Sequence, residues 1–442
     1  MAQLTLIMKK HTFYLFLAIL MVGFASKVEA QYLMDMVDTT KETAKGILGV
    51  YKKYDHLKIG GYIQPQYQVA SDKGIKSFEG GDFGTQVSNR FMLKRSRIRV
   101  DYINFPTKGP GVQIVFQFDA NERGFTVRDV WGRIFDSKYK LFAFTTGMFA
   151  RPFGNEINYS SSDRESPERG RMSQILMKSE RDLGAMLTFE PRKKIRYLNN
   201  LKIDVGLFNG QGINATGDFD NTKDLIARIA LKPFHVNKTT TLAIGGSVLH
   251  GGLMQNTKFK YYTGVVSGVK TSVVDSSDSN LWSDAPRKYY GADAQLKIKN
   301  KVGFTEFRAE LVGGQQSGIA ANSETPLALL TGTDGFHVRN FRGGYFYFVQ
   351  HLASLKHQIV FKYDYYDPNT KVAGLEIGSS GSTLSAANIK YSTLGIGYVN
   401  YVNENIKLVC YYAKVWNEKT NLKGFTSDVN DDVITFRIQY RF

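Results

Sequence analysis

The sequence has 442 residues and a formal charge of +17, with 57 lysines and arginines against 40 aspartates and glutamates. Its single cysteine excludes a disulfide framework within the chain. The basic excess is compatible with nucleic acid, anionic membrane surfaces or anionic solutes as partners. Nucleic acid is disfavoured because the sequence carries no nucleic-acid recognition motif. The mean hydropathy of −0.26 is that of a soluble protein, but alternating strands also average to such a value.

Residues 1–30 are predicted to be a signal peptide. Lys9 and Lys10 precede an apolar run over 12–25, and the small residues around Ala30 predict cleavage before Gln31. The run is shorter than the ~20 residues that a membrane-spanning helix needs. We therefore expect an exported chain, which also argues against a nucleic-acid partner.

Residues 31–56 are predicted to form a short periplasmic amphipathic segment. Apolar side chains between Leu33 and Tyr54 lie near one helical stripe, and Thr39 with Glu42 fits a capping box. A periplasmic plug, an oligomer contact, a loosely held leader and a plain surface helix all remain compatible with this pattern.

From Leu57 onward, polarity alternates with a period of two, which predicts β-strands with one apolar and one polar face. In the last run, apolar residues at even positions alternate with Arg437 and Arg441 among the odd ones. Many runs reach ten or more residues, longer than the ~5–6 usual in globular sheets and matching the ~9–11 of a tilted membrane strand. The predicted strands are 57–70, 90–103, 111–121, 125–136, 140–150, 182–190, 200–208, 223–232, 239–250, 288–299, 303–314, 341–352, 356–367, 389–400, 406–416 and 432–442.

The connections between these runs alternate in length. One set is short, such as 104–110 and 401–405, and the other is mostly long, such as 71–89 and 251–287. Short turns at one rim and long loops at the other are typical of bacterial outer-membrane barrels. The prediction for 57–442 is an all-β fold: a transmembrane antiparallel β-barrel of about 16 strands with short periplasmic turns and long extracellular loops.

Three arginines on one predicted strand are candidates for the wall of a pore. Arg95, Arg97 and Arg99 share a face with Asp101. An arginine at the lipid midplane costs about 2–4 kcal/mol, so this face is expected to meet water. The three side chains would then form a row of fixed positive charge that attracts anions, and Arg437 and Arg441 on the closing strand would extend it. The alternative is an arginine–carboxylate lattice that stiffens the wall.

The long connection between the fifth and sixth strands is the candidate constriction loop. Folded into the lumen, a loop with rings of charge would narrow a pore and set its selectivity. An exposed, solvated loop is the alternative. Its basic residues, which stand among six acidic ones, are Arg151, Arg164, Arg169, Arg171, Lys178 and Arg181.

Several motifs resemble the phosphate-selective porin O and P family. They are Met148-Phe149-Ala150-Arg151-Pro152-Phe153-Gly154, Glu180-Arg181-Asp182-Leu183-Gly184, Ile59-Gly60-Gly61-Tyr62-Ile63-Gln64 and Arg97-Ile98-Arg99-Val100. The resemblance implies a sixteen-stranded homotrimeric barrel with an inward third loop and passive uptake of small anions, phosphate among them. It also implies the outer membrane of a Gram-negative bacterium as the location.

Other chemistry has little support in the sequence. No G-x-S-x-G nucleophile motif occurs, the histidines lack metal-binding spacing, and the Asp218–Asn221 stretch departs from a calcium loop. We therefore predict no enzyme activity, no cofactor and no metal site. The leading function is a porin for passive diffusion of small, preferentially anionic solutes in a membrane of outer-membrane lipid. The alternative is an adhesion or surface-binding scaffold that acts through its long loops.

Overall fold

The computed structural model describes residues 56–215 and 217–442. The predicted signal peptide, and the amphipathic segment apart from His56, lie outside the described residues. Residues 57–442 form a compact unit of their own.

The described residues form a closed antiparallel barrel of sixteen strands, in which the first strand pairs with both the second and the last. Its strands are β1 (Leu57–Ala70), β2 (Asn89–Asn104), β3 (Gly111–Asn121), β4 (Gly124–Phe135), β5 (Phe142–Ala150), β6 (Arg181–Phe189), β7 (Leu201–Phe208), β8 (Asp224–His235), β9 (Thr240–Met254), β12 (Asp284–Asn300), β13 (Gly303–Gly318), β14 (Phe336–Leu352), β15 (Ser354–Asp367), β16 (Tyr391–Tyr401), β17 (Ile406–Asn417) and β18 (Val433–Arg441). The barrel and its strand number confirm the predicted fold class.

Two further strands were not predicted. β10 (Lys260–Val266) and β11 (Val269–Asp275) form a hairpin inside the connection that the sequence assigned to an extracellular loop, and β10 runs parallel to the start of β14. Ser267 and Gly268 at the hairpin tip both have positive φ, as a two-residue turn between twisted strands requires. The seven-residue strands are shorter than the ~9–11 residues that a tilted membrane strand needs, so the hairpin belongs to the loop and not to the membrane-spanning wall.

Helical structure is sparse in the described residues. One short α-helix, α1 (Arg171–Leu176), lies between β5 and β6, and three 3₁₀ turns lie in extracellular loops at Asp278–Asn280, Gly374–Glu376 and Ala386–Asn388. Among residues 56–215 and 217–442, none of the helices has the length and apolar character needed to cross a membrane.

The barrel wall is apolar outside and polar inside, the reverse of a soluble protein. On β18, Ile438 and Tyr440 are exposed, whereas Arg437 and Gln439, which alternate with them, are buried. On β1, Gln64 and Gln68 face inward and have no exposed surface, while Ile59 and Ile63 are exposed outward. Exposure of the apolar face is favourable only in lipid, so the alternation fixes which surface meets the membrane.

An apolar cluster lies inside the lumen. Phe153, Ile157, Met172 and Leu176, all between β5 and β6, pack against inward side chains of the wall that include Tyr289. Phe153 and Tyr289 meet edge to face with ring centroids 5.9 Å apart. One sector of the lumen, along β5–β9 and β12–β15, is therefore filled with packed protein.

Candidate pore and constriction loop

The third loop, residues 151–180, folds into the barrel and reaches the opposite wall. It leaves β5 and returns to β6, which are neighbours, yet its side chains and backbone contact β1, β13, β15 and β18. At its middle, the Ser161 carbonyl accepts a hydrogen bond from Gln64, 2.9 Å away on β1. Lys407 on β17 donates to the Ser162 carbonyl at 2.5 Å.

Backbone geometry at the start of the loop turns it inward. Gly154 has a φ of +64°, and a Cβ there would collide with the Glu310 carboxylate. The backbone N–H groups of Asn155 and Glu156 donate to the same Glu310 oxygen at 3.0 and 2.9 Å. Glycine is needed at this turn, and the wall supplies the acceptor that the turned backbone requires.

Three glutamates of the loop anchor it to basic residues of the wall. Glu165 accepts two hydrogen bonds from Arg308, at 2.7 and 2.8 Å. Glu156 lies 3.1 Å from Lys362. Buried ion pairs of this kind hold a segment in place because removing one partner leaves an uncompensated charge.

The third anchor, Glu168, joins both sides of the barrel seam. It lies 2.7 Å from Arg95 on β2 and 2.9 Å from Arg437 on β18, with Lys94 at 3.8 Å. Burial alone would raise the pKa of this carboxyl, but the three cations, Arg95 foremost, hold it well below its usual range. Glu168 is therefore an anion at every physiological pH.

Two water-accessible cavities flank the loop in the open sector. The periplasmic cavity has a volume of about 440 Å³ and the extracellular cavity about 950 Å³, and Arg169 lines both. The charged residues around the periplasmic cavity are six basic and one acidic: Lys58, Arg97, Arg99, Arg169, Arg181 and Arg441 against Asp101. Those around the extracellular cavity are Lys76, Arg90, Lys94, Arg95, Arg123, Arg169 and Lys178 against Asp82, Glu122, Glu168, Glu180 and Glu324.

The arginine row on β2 faces the lumen, and each member has a carboxylate partner. Arg97 pairs with Asp119 at 2.9 Å, and Arg99 forms two hydrogen bonds with Asp101 at 2.6 and 2.8 Å. Arg95 pairs with Glu168 of the third loop at 2.7 Å. The geometry thus combines both interpretations of the sequence, because the row is a lattice of ion pairs that still borders the two cavities.

The two arginines on the closing strand have different environments. The side chain of Arg437 is only 3% exposed and bonds to Glu168, the Pro167 carbonyl and Gln66. Arg441 is 54% exposed at the mouth of the periplasmic cavity, 3.3 Å from Asp163. Arg437 therefore lies behind the loop as an anchor and not on the open pathway that the sequence assigned to it.

The six basic residues of the candidate constriction loop divide in the same way. Arg151 and Arg164 are buried and donate to backbone carbonyls of the loop. Arg171 stacks on Tyr391 with its guanidinium 3.5 Å from the ring centroid, and Lys178 pairs with Glu324 at 2.5 Å. Only Arg169 and Arg181 border the periplasmic cavity. Both bond to Glu180, and Arg181 also lies 3.3 Å from Asp129.

Three residues that sequence reasoning did not single out as site residues belong to the constriction. Arg128 on β4 bonds to Glu180, and Arg308 and Lys362 hold the loop from the far wall. The alternation places all three on polar faces, so a search for inward cations opposite the acidic loop could have found them.

The Asp218–Asn221 stretch, which departs in sequence from a calcium loop, holds no cluster of ligands in the structure. Asp218 pairs with Lys223 at 2.8 Å, and Asp220 accepts hydrogen bonds from the backbone of Thr222 and Met254. Among residues 56–215 and 217–442, no group of three or more histidine, cysteine or acidic side chains is arranged to hold a metal ion.

Comparisons with known proteins give matches in structure alone. No protein-family model matches the sequence, and no curated protein matches it significantly. Salmonella typhi OmpF in complex with daunomycin is 12% identical, with 87% of this chain and 97% of that chain covered and a TM-score of 0.55. OprB of Pseudomonas putida is 9% identical, covering 95% and 100% with a TM-score of 0.55. An anion-selective porin from Comamonas acidovorans is 10% identical, covering 87% and 99% with a TM-score of 0.51.

These similarities confirm the outer-membrane barrel fold. A closed barrel with an apolar outer wall satisfies every strand hydrogen bond in lipid, and it is the spanning structure of bacterial outer membranes. The predicted location in the outer membrane of a Gram-negative bacterium is thereby confirmed as well. The narrower resemblance to phosphate-selective porins stays a prediction.

Proposed function

We propose that this chain is a porin through which small solutes, preferentially anions, diffuse passively across the outer membrane. The observation that carries the proposal is that basic residues outnumber acidic ones in the lining of both cavities, six to one on the periplasmic side. The carboxylates that pair with Arg97, Arg169, Arg181 and Arg441 do not line the periplasmic cavity. Fixed positive charge along a narrow path raises the local concentration of anions and excludes cations. The process needs no cofactor and no covalent chemistry.

Phosphate is one of the anions proposed. Guanidinium groups are planar, stay charged at physiological pH and match phosphate and carboxylate oxygens in pairs. Arg99 and Arg441 are the most exposed arginines whose side chains border the periplasmic cavity, so they are the groups most available to a passing anion. A homotrimer is proposed as well, on the family resemblance of the motifs at 148–154 and 180–184.

The test is single-channel recording in a planar lipid bilayer with a salt gradient. The reversal potential is expected to show that anions carry most of the current, and phosphate is expected to be conducted beside chloride. Cation preference would contradict the selectivity, and a folded barrel that conducts no current would remove the porin function and favour the adhesion scaffold.

The matched variants are Arg99→Gln with Arg441→Gln in the pathway, and Lys108→Gln at an exposed periplasmic turn. Each pathway substitution is expected to lower the anion-to-cation permeability ratio about tenfold. A unit charge roughly 6 Å from an ion in water stabilises an anion by about 0.7 kcal/mol and destabilises a cation by the same amount, and each of these contributions is a factor of about three. Lys108→Gln removes the same charge away from both cavities and is expected to leave the ratio unchanged.

A further inference from the structure

A groove crosses the outer face of the barrel wall over β8, β9, β12 and β13. Its volume is about 820 Å³, and its outward side chains include Ile229, Val248, Tyr290 and Leu311, all of them exposed. Alternate residues on these strands point into the lumen, where Arg228 pairs with Asp293 at 2.6 Å. The groove therefore lies on the side of the wall that meets the membrane.

Small residues create the depth of the groove. Gly246 on β9 is paired in register with Ala292 on β12, and Gly313 on β13 is paired with Tyr290. A Cβ at Gly246 would meet no atom nearer than 3.8 Å, and one at Gly313 none nearer than 3.5 Å. These positions could hold larger side chains without a clash. The groove is therefore open because glycine and alanine occupy these positions, although the surrounding backbone would admit larger residues.

Basic side chains border the extracellular end of the groove. Arg342 on β14 lies opposite Gly313, is exposed and itself lines the groove, and Lys288 stands two residues before Tyr290 on β12. Within the described part of the chain, neither side chain has a hydrogen bond or an ion pair. On β14, the outward residues that follow Arg342 are Gly344, Phe346 and Phe348, so Arg342 stands at the upper edge of the apolar band.

From this arrangement we propose that the groove binds a phosphorylated, acylated lipid of the outer leaflet, with an acyl chain over Gly246 and Ala292 and a phosphate on Arg342 and Lys288. An arginine on the lipid side of a barrel is tolerated near the interface and unfavourable at the midplane. Its guanidinium pairs with phosphate through two parallel hydrogen bonds. The charge of the rim and the apolar floor below it match the two ends of one lipid molecule.

The test measures lipid binding to the folded barrel in a nonionic detergent by native mass spectrometry. The probe is a diacyl phosphatidic acid, compared with the diacylglycerol of the same chains. Arg342→Gln is expected to weaken phosphatidic acid binding by more than about tenfold, the loss typical of a hydrogen bond to a charged group. It is expected to leave the weaker diacylglycerol binding unchanged. Gly246→Leu, which fills the groove floor, is expected to reduce binding of both lipids.

Two control variants match these changes elsewhere on the wall. Gly132→Leu adds the same side chain at an outward glycine of β4 that has no neighbour within 4 Å, and Lys356→Gln removes a charge at the periplasmic rim. Neither is expected to change binding. Equal binding by wild type, Arg342→Gln and Gly246→Leu would overturn the proposal. Full displacement of phosphatidic acid by inorganic phosphate would also overturn it, because the acyl chains would then contribute nothing to binding. If Gly246→Leu lost its oligomers but kept its lipid, the groove would be a contact between copies of the chain, and the proposal would be wrong.

Discussion

In one sector of the lumen the inward-facing side chains are packed under the third loop, and in the other they line the open cavities. Along β5–β9 and β12–β15, inward residues such as Phe208 and Tyr289 pack with the third loop into a buried apolar cluster. Along β1–β4, inward residues such as Arg97 and Arg99 border water. In both sectors alternate residues point into the lumen. These inward residues are largely apolar where the loop covers the wall and largely polar along β1–β4, so residue type and the path of the loop together decide where the pore runs.

The largest effect is expected from Glu168→Gln, which removes the charge that Arg95 and Arg437 share. Leaving these buried cations without their partner should destabilise the seated loop by about 3–5 kcal/mol. Single-channel recordings are expected to show larger and noisier currents as the loop leaves the wall. Currents identical to those of wild type would contradict the anchoring role of Glu168, because the loop would then hold its position without this charge.

Phe153→Ala tests how much the apolar packing in the filled sector contributes to the stability of the barrel. Phe153 is 2% exposed and packs on Tyr289, so truncation should cost about 3 kcal/mol. The temperature at which the folded band is lost on a denaturing gel should fall. Phe346→Ala is the control, because its exposed ring faces lipid and its loss is expected to have a smaller effect. Equal losses would mean that the luminal cluster contributes no special stability.

Glu79, in the first loop, adds a pH dependence. Burial raises its pKa to about 7, with Lys362 opposing the shift and Asp364 and Glu168 adding to it. A carboxyl with a raised folded-state pKa stabilises the fold fully below its unfolded value of about 4.5, and this contribution is lost as pH rises through 7. Wild type should therefore be more stable at pH 6 than at pH 8, by no more than about 3 kcal/mol.

Glu79→Gln checks the origin of that slope, since the amide cannot ionise. The thermal midpoints of this variant at pH 6 and pH 8 are expected to lie closer together than those of wild type. An unchanged pH dependence in Glu79→Gln would assign the slope to another group.

The smallest effect is expected from Asp163→Asn at the open sector's edge. Asp163 and Arg441 are both about half exposed, so their pair contributes less than about 1 kcal/mol to stability. Its removal frees Arg441 at the cavity mouth and should raise the anion-to-cation permeability ratio slightly, in the direction opposite to Arg441→Gln. A lower ratio would show that Arg441 does not act on the permeating ion.

The sequence predicted the wall far better than the pore. Alternation assigned Ile438 and Tyr440 outward and Arg437 and Gln439 inward, because strand geometry fixes these directions locally. It did not separate Arg437 from Arg441, since their exposures of 3% and 54% depend on where the third loop passes. Likewise, the acidic residues of that loop gave no hint of which wall cations they would meet, because most of these partners are distant in the chain. Arg128 is 52 residues from Glu180, and Arg437 is 269 residues from Glu168.

The unpredicted β10–β11 hairpin has a similar cause. Its strands are only seven residues long, and their pairing with β14 over three residues is non-local. Runs such as Lys260–Val266 lack the length by which membrane strands were recognised. A short, exposed hairpin depends on its own turn and on its neighbours, and neither leaves a strong pattern of period two.

The double contact of Glu168 also bears on how the barrel is assembled. Arg95 and Arg437 belong to the second and the last strands, and β1 lies between these two strands, so Glu168 finds both partners only when the final strand has docked. Contacts this distant along the chain form late, because the connecting segment must first be ordered. The third loop can therefore form both of its contacts at the seam only in the last step of barrel closure, when β18 pairs with β1. An incompletely closed barrel would have a wider and less selective opening than the finished one.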